Sequence, residues 1–574
     1  MKYIYSRLWK YLSHRKILFF GSIILTIIAG VFSITGTSLA GQAIGAIAGE
    51  GDHGVFYYVW QMVAFYLLSA VITYVRAVIM MNLTQRMVAK MRSDVYDKLV
   101  ELPIGYFDAK QAGEIVSTIS YDVNTVSETL ATDFMQIIMS AVTIVYSFVL
   151  MLTVSPVLIL VFVFTIPLSI LITRIIKKIT RPLFRRRSAA LGELNGYIEE
   201  MIAGHKTIKT YGREANVIDE FNEKNEMATE AYRKAEANGA MAGPAVMFVN
   251  NLSLALVNIF GAILFINTGI SLTSLSQFIL LSRKFSGPIN EIANIYADIQ
   301  SALAAAERVF RLIDESPEPP DAEGAPELSC PKGRVEFRGV RFGYTEDKTV
   351  LKNLSLTAEP GSVTAIVGPT GTGKTTIINL LMRFYDIESG EILIDGESIY
   401  DVRRQSLRSA YTMVLQDTWL FNGTIFENVA YGRDDVTLEQ VEAVCRAAKI
   451  HNFIISLPDG YNTVISESGT NISKGQKQLL TIARAMLIDS KMLILDEATS
   501  NVDSKTERDI SDAMVKLMKN KTCFVIAHRL STIREADNII VVREGDVVEQ
   551  GRHEELLEKG GFYAELYNSQ FEKV

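Results

Sequence analysis

The sequence predicts a multi-domain chain: an all-α domain of six membrane-spanning helices, followed by a soluble α/β domain. Three observations predict it. Six apolar segments precede residue 300, each near the roughly 20 residues a helix needs to cross a bilayer. A proline-rich acidic stretch, residues 314–332, then ends the helical pattern. Beyond it, strand-like and helical runs alternate around a glycine-rich loop. The expected boundaries are 1–316 for the membrane domain, 317–332 for a linker too polar to pack, and 333–574 for the soluble domain.

Composition agrees with two unlike halves. A mean hydropathy of +0.20 leans toward a membrane protein. A charged fraction of 21% requires a large soluble part as well. The net charge of −7 gives no support to nucleic-acid binding. Cys330, Cys445 and Cys523 lie at no metal-ligand spacing and read as reduced cytosolic thiols.

Residues 1–15 mix aromatic and basic side chains, which suits a short helix on the inner membrane surface. The apolar run 17–38 is too long for the core of a signal peptide, so it is expected to be a retained first span. The other spans are expected at 56–80, 132–153, 156–178, 244–267 and 272–297. Helices are the expected form, because lipid cannot satisfy an exposed backbone. The first, third and fifth connections are short and hold no Lys or Arg. The second and fourth, about 81–131 and 179–243, are long and charged. Basic loops stay inside, so both termini are expected in the cytosol. The long loops keep helical periodicity, as in Val88-Met91-Val95-Leu99 and Ile198-Met201-Ile202-Ile208. Helical hairpins of that length would project about 35–40 Å from the membrane and act as levers.

The chemistry sits in the second half. Gly368-Pro369-Thr370-Gly371-Thr372-Gly373-Lys374-Thr375 matches G-x-x-x-x-G-K-[ST]. It follows a strand, Ala365–Val367, and opens a helix at Thr376, the context a phosphate cradle needs. Backbone N–H groups and the helix N-terminus favour phosphate. Lys374 would pair with the β- and γ-phosphates and Thr375 with Mg²⁺. The run Met492–Leu495 ends in Asp496-Glu497. A buried strand that delivers two carboxylates needs a reason, since unpaired buried charge is costly. Asp496 would help hold the metal, and Glu497 would polarise the attacking water.

The residues around these motifs resemble the ABC transporter family. Gln416 resembles the Q-loop glutamine, which implies a metal contact. Ile472-Ser473-Lys474-Gly475-Gln476 resembles the LSGGQ signature, Ser500-Asn501-Val502-Asp503 the D-loop, and Ala527-His528-Arg529 the switch-histidine segment. Tyr344 stands where the adenine-stacking aromatic is expected, and Glu467-Ser468-Gly469 is similar to the exporter-type loop before the signature. Tyr106-Phe107-Asp108 with Gly113-Glu114-Ile115, and Gly204–Glu214, resemble the first and second cytosolic loops of multidrug, lipid and peptide exporters. The resemblance spans nearly the whole chain.

It implies an α/β P-loop NTPase domain with the family's helical subdomain, and a transporter ATPase that uses ATP and Mg²⁺. Glu497, His528 and Lys374 would be catalytic. Tyr344, Gly368 through Thr376, and Gln416 would bind nucleotide, while Ser473, Gly475 and Gln476 would reach a partner's nucleotide. Thr375, Gln416 and Asp496 would hold the metal. Small loop-tip helices at about 115–124 and 206–214 would rest on the nucleotide domains. One P-loop and one signature imply a half-transporter that must dimerise.

Lys474 departs from the signature, whose third position is usually Gly. Either that position tolerates polar residues, or the chain pairs with a different half and forms unequal ATP sites; the heterodimer is somewhat favoured. Arg283 and Lys284, mid-span, either line a cargo cavity or pair with a group such as Glu291. Tyr57 to Tyr66 with Trp60 suit an interfacial belt better than a cargo cage. No cysteine-protease-like domain precedes the first span, so leader-peptide processing is not expected. The expected function is alternating-access export of amphipathic, lipid-like or peptide cargo across the plasma membrane. The alternative is an ATP-gated regulatory or channel-like subunit. A soluble repair or translation ATPase is excluded by the six spans.

Overall fold

The computed structural model describes residues 2–13, 15–50, 53–268, 270–328, 331–345, 347–416, 418–465, 472–496, 503–527 and 530–571. They form two compact units. One holds Met1–Val100 and Ala112–Glu315; the other holds Glu101–Gln111 and Ser316–Val574.

The first unit is all helix. After the short helix Lys2–Ser13 come Lys16–Ile47, Val55–Glu101, Ala112–Val154, Leu160–Ala203, Glu214–Gly239, Ala242–Thr268 and Leu272–Ile313. Each expected span falls inside one of these except the fourth, which begins at Leu160 rather than at 156. Ser155 is extended before Pro156, as a residue preceding proline prefers, and breaks the helix there. Five helices among the described residues are long and apolar enough to cross a membrane. Leu272–Ile313 falls short because Gln277, Arg283, Lys284 and several serines interrupt its apolar run.

The packing follows from helical spacing. Ile4, Leu8 and Leu12 recur every fourth residue and are buried, while Tyr3, Tyr5 and Trp9 stay exposed. That stripe joins Met87, Val88, Met91 and Val95 of the second long helix, together with Val123, Val126, Val309 and Phe310. The expected stripe in the fourth helix is less buried: Ile202 is exposed, and Leu194 and Tyr197 are buried instead. Asp122, only 3% exposed, receives a two-point bond from Arg308, Nε at 2.8 Å and Nη2 at 2.7 Å.

Two expectations change in this unit. Residues 115–124 are not a separate tip helix; they continue into Ala112–Val154, and Val123 and Val126 are core. Glu291 does not pair with Arg283 or Lys284. Its carboxylate accepts from Gln136 Nε2 at 2.8 Å and Ser140 Oγ at 3.0 Å, across helices. The Arg283 and Lys284 side chains are exposed.

The second unit carries the sheets. An antiparallel sheet joins β1 (Val335–Thr345), β2 (Lys348–Ala358), β4 (Ser389–Ile394) and β5 (Glu397–Ser398) in the order β2-β1-β4-β5. The central sheet is built from β3 (Val363–Val367), β6 (Tyr411–Val414), β9 (Met492–Asp496), β10 (Thr522–Ile526), β11 (Asn538–Arg543) and β12 (Asp546–Gly551). Its order is β12-β11-β3-β10-β9-β6. The strand-like runs of the sequence, residues 335–337, 363–367, 492–495, 523–526 and 539–542, all lie in strands. β3, β6, β9, β10 and β11 are parallel neighbours; only β12 runs against β11. A small ribbon of β7 (Gly423–Thr424) and β8 (Val464–Ile465) accompanies the helices Ile425–Ala430, Leu438–Ala447, His451–Ile455 and Lys474–Leu487, a helical subdomain. Cys445 and Cys523 are buried free thiols, and burial pushes both up to about 12. Cys330 lies outside the described residues.

The linker does pack, against expectation. Arg408 grips the Glu318 carboxylate with both terminal nitrogens, and Asp321 Oδ2 accepts from the Arg404 backbone N–H at 3.1 Å. Arg404 is 6% exposed and Arg383 is 7% exposed. Acidic residues in a polar linker are therefore the partners of buried arginines. The Glu318 N–H also bonds the Glu101 carbonyl at 2.8 Å, which ties the linker to the first-loop segment Glu101–Gln111.

Arg408→Ala removes the Glu318 bonds and those to the carbonyls of Met382 and Arg383. The expected result is a loss of about 1–3 kcal/mol of local stability. Limited proteolysis at residues 316–328 should become faster, with the sites elsewhere unchanged.

Candidate nucleotide site

Four parallel strands end at one edge of the central sheet. In register, Ile366 of β3 stands beside Ile526 of β10, Ile526 beside Asp496 of β9, and Leu495 beside Val414 of β6. Ligands of open α/β sheets bind outside such carboxyl ends. The glycine-rich loop follows β3, Asp496 closes β9, and Gln416 lies two residues past β6, exposed in a bend. Glu497 follows β9 and His528 follows Ala527 beyond β10. Both lie outside the described residues, as do Asp417, Glu467–Gly469 and Ser500–Val502.

The loop is shaped for a group that approaches its backbone closely. Gly371 has φ 83° and Gly373 has φ 99°, a region that favours glycine. A Cβ on Gly368 would lie 2.3 Å from the Val542 carbonyl oxygen, and one on Gly373 would lie 2.8 Å from Leu351 Cδ2. The helix Lys374–Leu381 starts directly after the turn, and its first N–H groups have no partner within the helix. Lys374 donates from Nζ to the carbonyls of Gly368 and Pro369, each at 2.8 Å. Burial pulls its ammonium below the ordinary lysine range, and the nearby Asp496 charge opposes that. The Thr372 hydroxyl donates to the Pro369 carbonyl at 2.9 Å. Thr375 is exposed on the first turn and Thr376 is buried. Bare glycine backbone, a helix N-terminus and a buried cation fit a polyphosphate, and the Thr375 hydroxyl with Asp496 is a hard-oxygen donor set that suits Mg²⁺.

Tyr344, at the end of β1, is 46% exposed. Its hydroxyl lies 3.1 Å from Thr376 Oγ1 and accepts from Asn379 Nδ2 at 3.2 Å. It is thereby tied to the helix that opens from the loop. Its ring meets Phe342 and Tyr385 edge to face, both at 5.0 Å.

The segment Ser473–Gln476 stands at the start of the helix Lys474–Leu487. Ser473 is its N-cap: the hydroxyl accepts from Gln476 N–H at 3.2 Å, and Gln476 Oε1 accepts from Ser473 N–H at 2.9 Å. This is a capping box, legible in the sequence as S-x-x-Q before an apolar run but missed there. Gln476, expected to touch nucleotide, is engaged in the cap. Gly475 is buried and Lys474 is exposed. Asp503 caps the helix Ser504–Met518, accepting from Thr506 N–H at 2.9 Å. That bond holds its carboxyl below the usual range.

Within one chain the structure brings together the glycine loop, Lys374, Thr375, Thr376, Tyr344, Asp496 and the end of β6 that leads to Gln416. Among the described residues, no hydrogen bond or ion pair joins Ser473 or Gly475 to that group. Sequence reading also missed Tyr385, which touches the site through Tyr344.

Two family descriptions match this chain. The family described as ABC transporter transmembrane region matches residues 19–289, and that described as ABC transporter matches residues 351–500. An uncharacterized ABC transporter ATP-binding protein of Bacillus subtilis is 42% identical over 99% of this chain and 94% of its own length. A fatty acid ABC transporter ATP-binding/permease protein of Mycobacterium bovis is 44% identical over 88% of this chain and 79% of its own. A solved bacterial Atm1-family ABC exporter with ATP bound superposes with a TM-score of 0.77 at 28% identity, over 97% of this chain and 98% of that one.

Ser473→Ala should cost about 1 kcal/mol through the lost cap alone, with no nucleotide needed to see it. Ser473→Asp keeps a capping acceptor and should recover that stability. Thermal unfolding of the two variants without nucleotide checks both outcomes.

Proposed function

The chain belongs to the ABC transporter family, as an exporter-type half-transporter with its transmembrane region and ATP-hydrolysing domain fused, and on that footing we propose how its residues divide the work. Lys374 and the N–H groups of the loop Gly368–Thr375 hold the β- and γ-phosphates. Tyr344 presents its exposed face to the adenine. Thr375, Gln416 and Asp496 hold Mg²⁺, which supplies neutralising charge at the phosphates. Glu497 orients and polarises water toward the γ-phosphate, and His528 contacts that phosphate from the next strand. The observation that carries this reading is the shared edge at which β3, β10, β9 and β6 end.

Ser473 and Gly475 make no bond to that group among the described residues, and they are assigned to the nucleotide of a second half-transporter. The chain then works as a dimer that closes on ATP and opens after hydrolysis, switching the membrane domain between inward and outward access. Lys474 bears on which partner. It is exposed at the first position of a capped helix, so its side chain displaces nothing within its own chain. Its positive charge has the sign that attracts a triphosphate. We therefore infer equal sites in a homodimer, in preference to a heterodimer with one weakened site.

The proposed cargo is amphipathic and lipid-like, of the fatty-acid class for which one relative is named, moved out of the cytosol or inner leaflet of the plasma membrane. Both termini then face the cytosol, as the basic long loops require. The exposed Arg283 and Lys284 support this cargo. Two cations in a membrane span are costly against lipid and belong at protein or water, where they would meet an acidic headgroup. A peptide cargo or a gated channel is the alternative outcome.

The chain purified alone and reconstituted should hydrolyse ATP with positive cooperativity. Activity that appears only on mixing with a second half-transporter would refute the homodimer. In the same vesicles, ATP should drive a fluorescent fatty acid across the bilayer. Lys374→Ala should slow that by about 100-fold or more, since a buried cation at the reacting phosphate is lost. Transport of peptide instead, or ion flux without cargo, would replace the lipid reading.

A further inference from the structure

The helix Lys374–Leu381 ends in a Schellman turn. Arg383 takes a left-handed φ of 49°, Phe384 N–H bonds the Asn379 carbonyl at 2.9 Å, and Arg383 N–H bonds the Leu380 carbonyl at 3.0 Å. A side chain other than glycine in that conformation is strained. Arg383 is held there by a 3.0 Å bond to the Ile399 carbonyl and by the Tyr400 ring, 4.7 Å beneath its guanidinium. The turn delivers Tyr385 to the Tyr344 ring, edge to face at 5.0 Å and 89°, with Phe342 closing the cluster at 5.7 Å.

The other end of Tyr385 is engaged too. Its hydroxyl donates to Asp108, on the short helix Ile104–Ala109 of the first-loop segment. Burial and that carboxylate hold the phenol above its ordinary range. Gly105 lets the helix lie against the ring: a Cβ there would come within 3.0 Å of Tyr385 Cε1. Asp108 is thus linked to Tyr385, Tyr385 to Tyr344, and Tyr344 to Thr376 on the phosphate-binding helix.

We propose that Tyr385 is a positioning residue for the adenine subsite: its ring sets the orientation of Tyr344, and its bond to Asp108 makes that orientation depend on the first-loop helix. When Asp108 is in place, Tyr385 is fixed and Tyr344 presents one face outward. When the loop helix withdraws, Tyr385 loses its anchor and base affinity falls. Nucleotide binding and loop position are then linked in both directions, as equilibrium coupling requires. The inference rests on the assignment of Tyr344 to the base, and the test separates the two.

Equilibrium binding of ATP and of inorganic tripolyphosphate to the full-length protein, without Mg²⁺, reads the base and phosphate contributions apart. Asp108→Ala and Tyr385→Phe each remove one neutral-to-charged hydrogen bond and keep the ring packing. Each should raise the Kd for ATP by about three- to tenfold and leave tripolyphosphate unchanged. Asp108→Asn keeps an acceptor and should recover most of the loss. In a Tyr344→Ala background both changes should have no further effect, because the pathway ends at that ring. Two results would overturn the proposal: an unchanged ATP Kd in both single variants while Tyr344→Ala weakens ATP, or equal losses for ATP and tripolyphosphate. If Tyr344→Ala itself leaves ATP binding unchanged, the base assignment fails and takes this proposal with it.

Discussion

Ile366, Ile526 and Asp496 stand in one row across β3, β10 and β9. The side-chain period of a strand is two, so a slip of one residue would turn Asp496 to the opposite face and its buried neighbours outward. Met492, Leu493, Ile494 and Leu495 are at most 1% exposed, as are Phe524, Val525 and Ile526. Burial on both faces therefore fixes the register, and the register fixes where the chemistry lies. Lys374 beside Asp496, and the loop ahead of them, follow from hydrophobic packing several residues away.

The same helix that opens at Lys374 also closes where the cassette receives its connections. Met382 to Asp386 lie just beyond its end. Arg408 reaches the carbonyls of Met382 and Arg383 with one guanidinium and Glu318 of the linker with the same group. Tyr385 reaches Asp108 of the first-loop segment. Glu318 and Glu101 are themselves joined through the backbone. A helix is stiff over this length, so a displacement at its phosphate end is carried to its other end rather than absorbed within it. One short element thus has the proposed phosphate site at its start and the bonds to the linker and the first-loop segment at its finish.

How much of this was legible depended on the kind of signal. The buried parallel strands were readable because strands covered on both faces are continuous apolar runs, as in Met492–Leu495 and Ile539–Val542. β6 was not, since four residues beginning Tyr411-Thr412 carry no such run. The helices of all six expected spans were readable by length, though only five among the described residues are apolar enough to cross a membrane, and the start of the fourth was misplaced because proline marks a corner without saying how long the corner is. The linker was misread because proline and acid content describe only the linker. Its partners are distant in sequence: Arg404 lies 83 residues from Asp321, and Arg408 lies 90 from Glu318. Tyr385 was invisible for the same reason: it belongs to no motif, and only the Schellman turn at Arg383 brings it beside Tyr344.

The signature segment shows why a motif's residues need not share one task. A serine and a glutamine three apart suffice to start a helix, and Ser473 and Gln476 do that with no ligand present. The cap satisfies the Gln476 N–H and leaves the earlier N–H groups of the turn available, with the positive end of the helix behind them. A cation at that end is mildly unfavourable to the helix by itself, by about 0.3–1 kcal/mol, and becomes favourable once an anion arrives. Lys474 therefore makes the helix start slightly less stable alone and more receptive to phosphate. In the proposed dimer, the departure from glycine would strengthen the attraction of the site for a partner's nucleotide, and nothing in the chemistry of the residue requires an unequal partner.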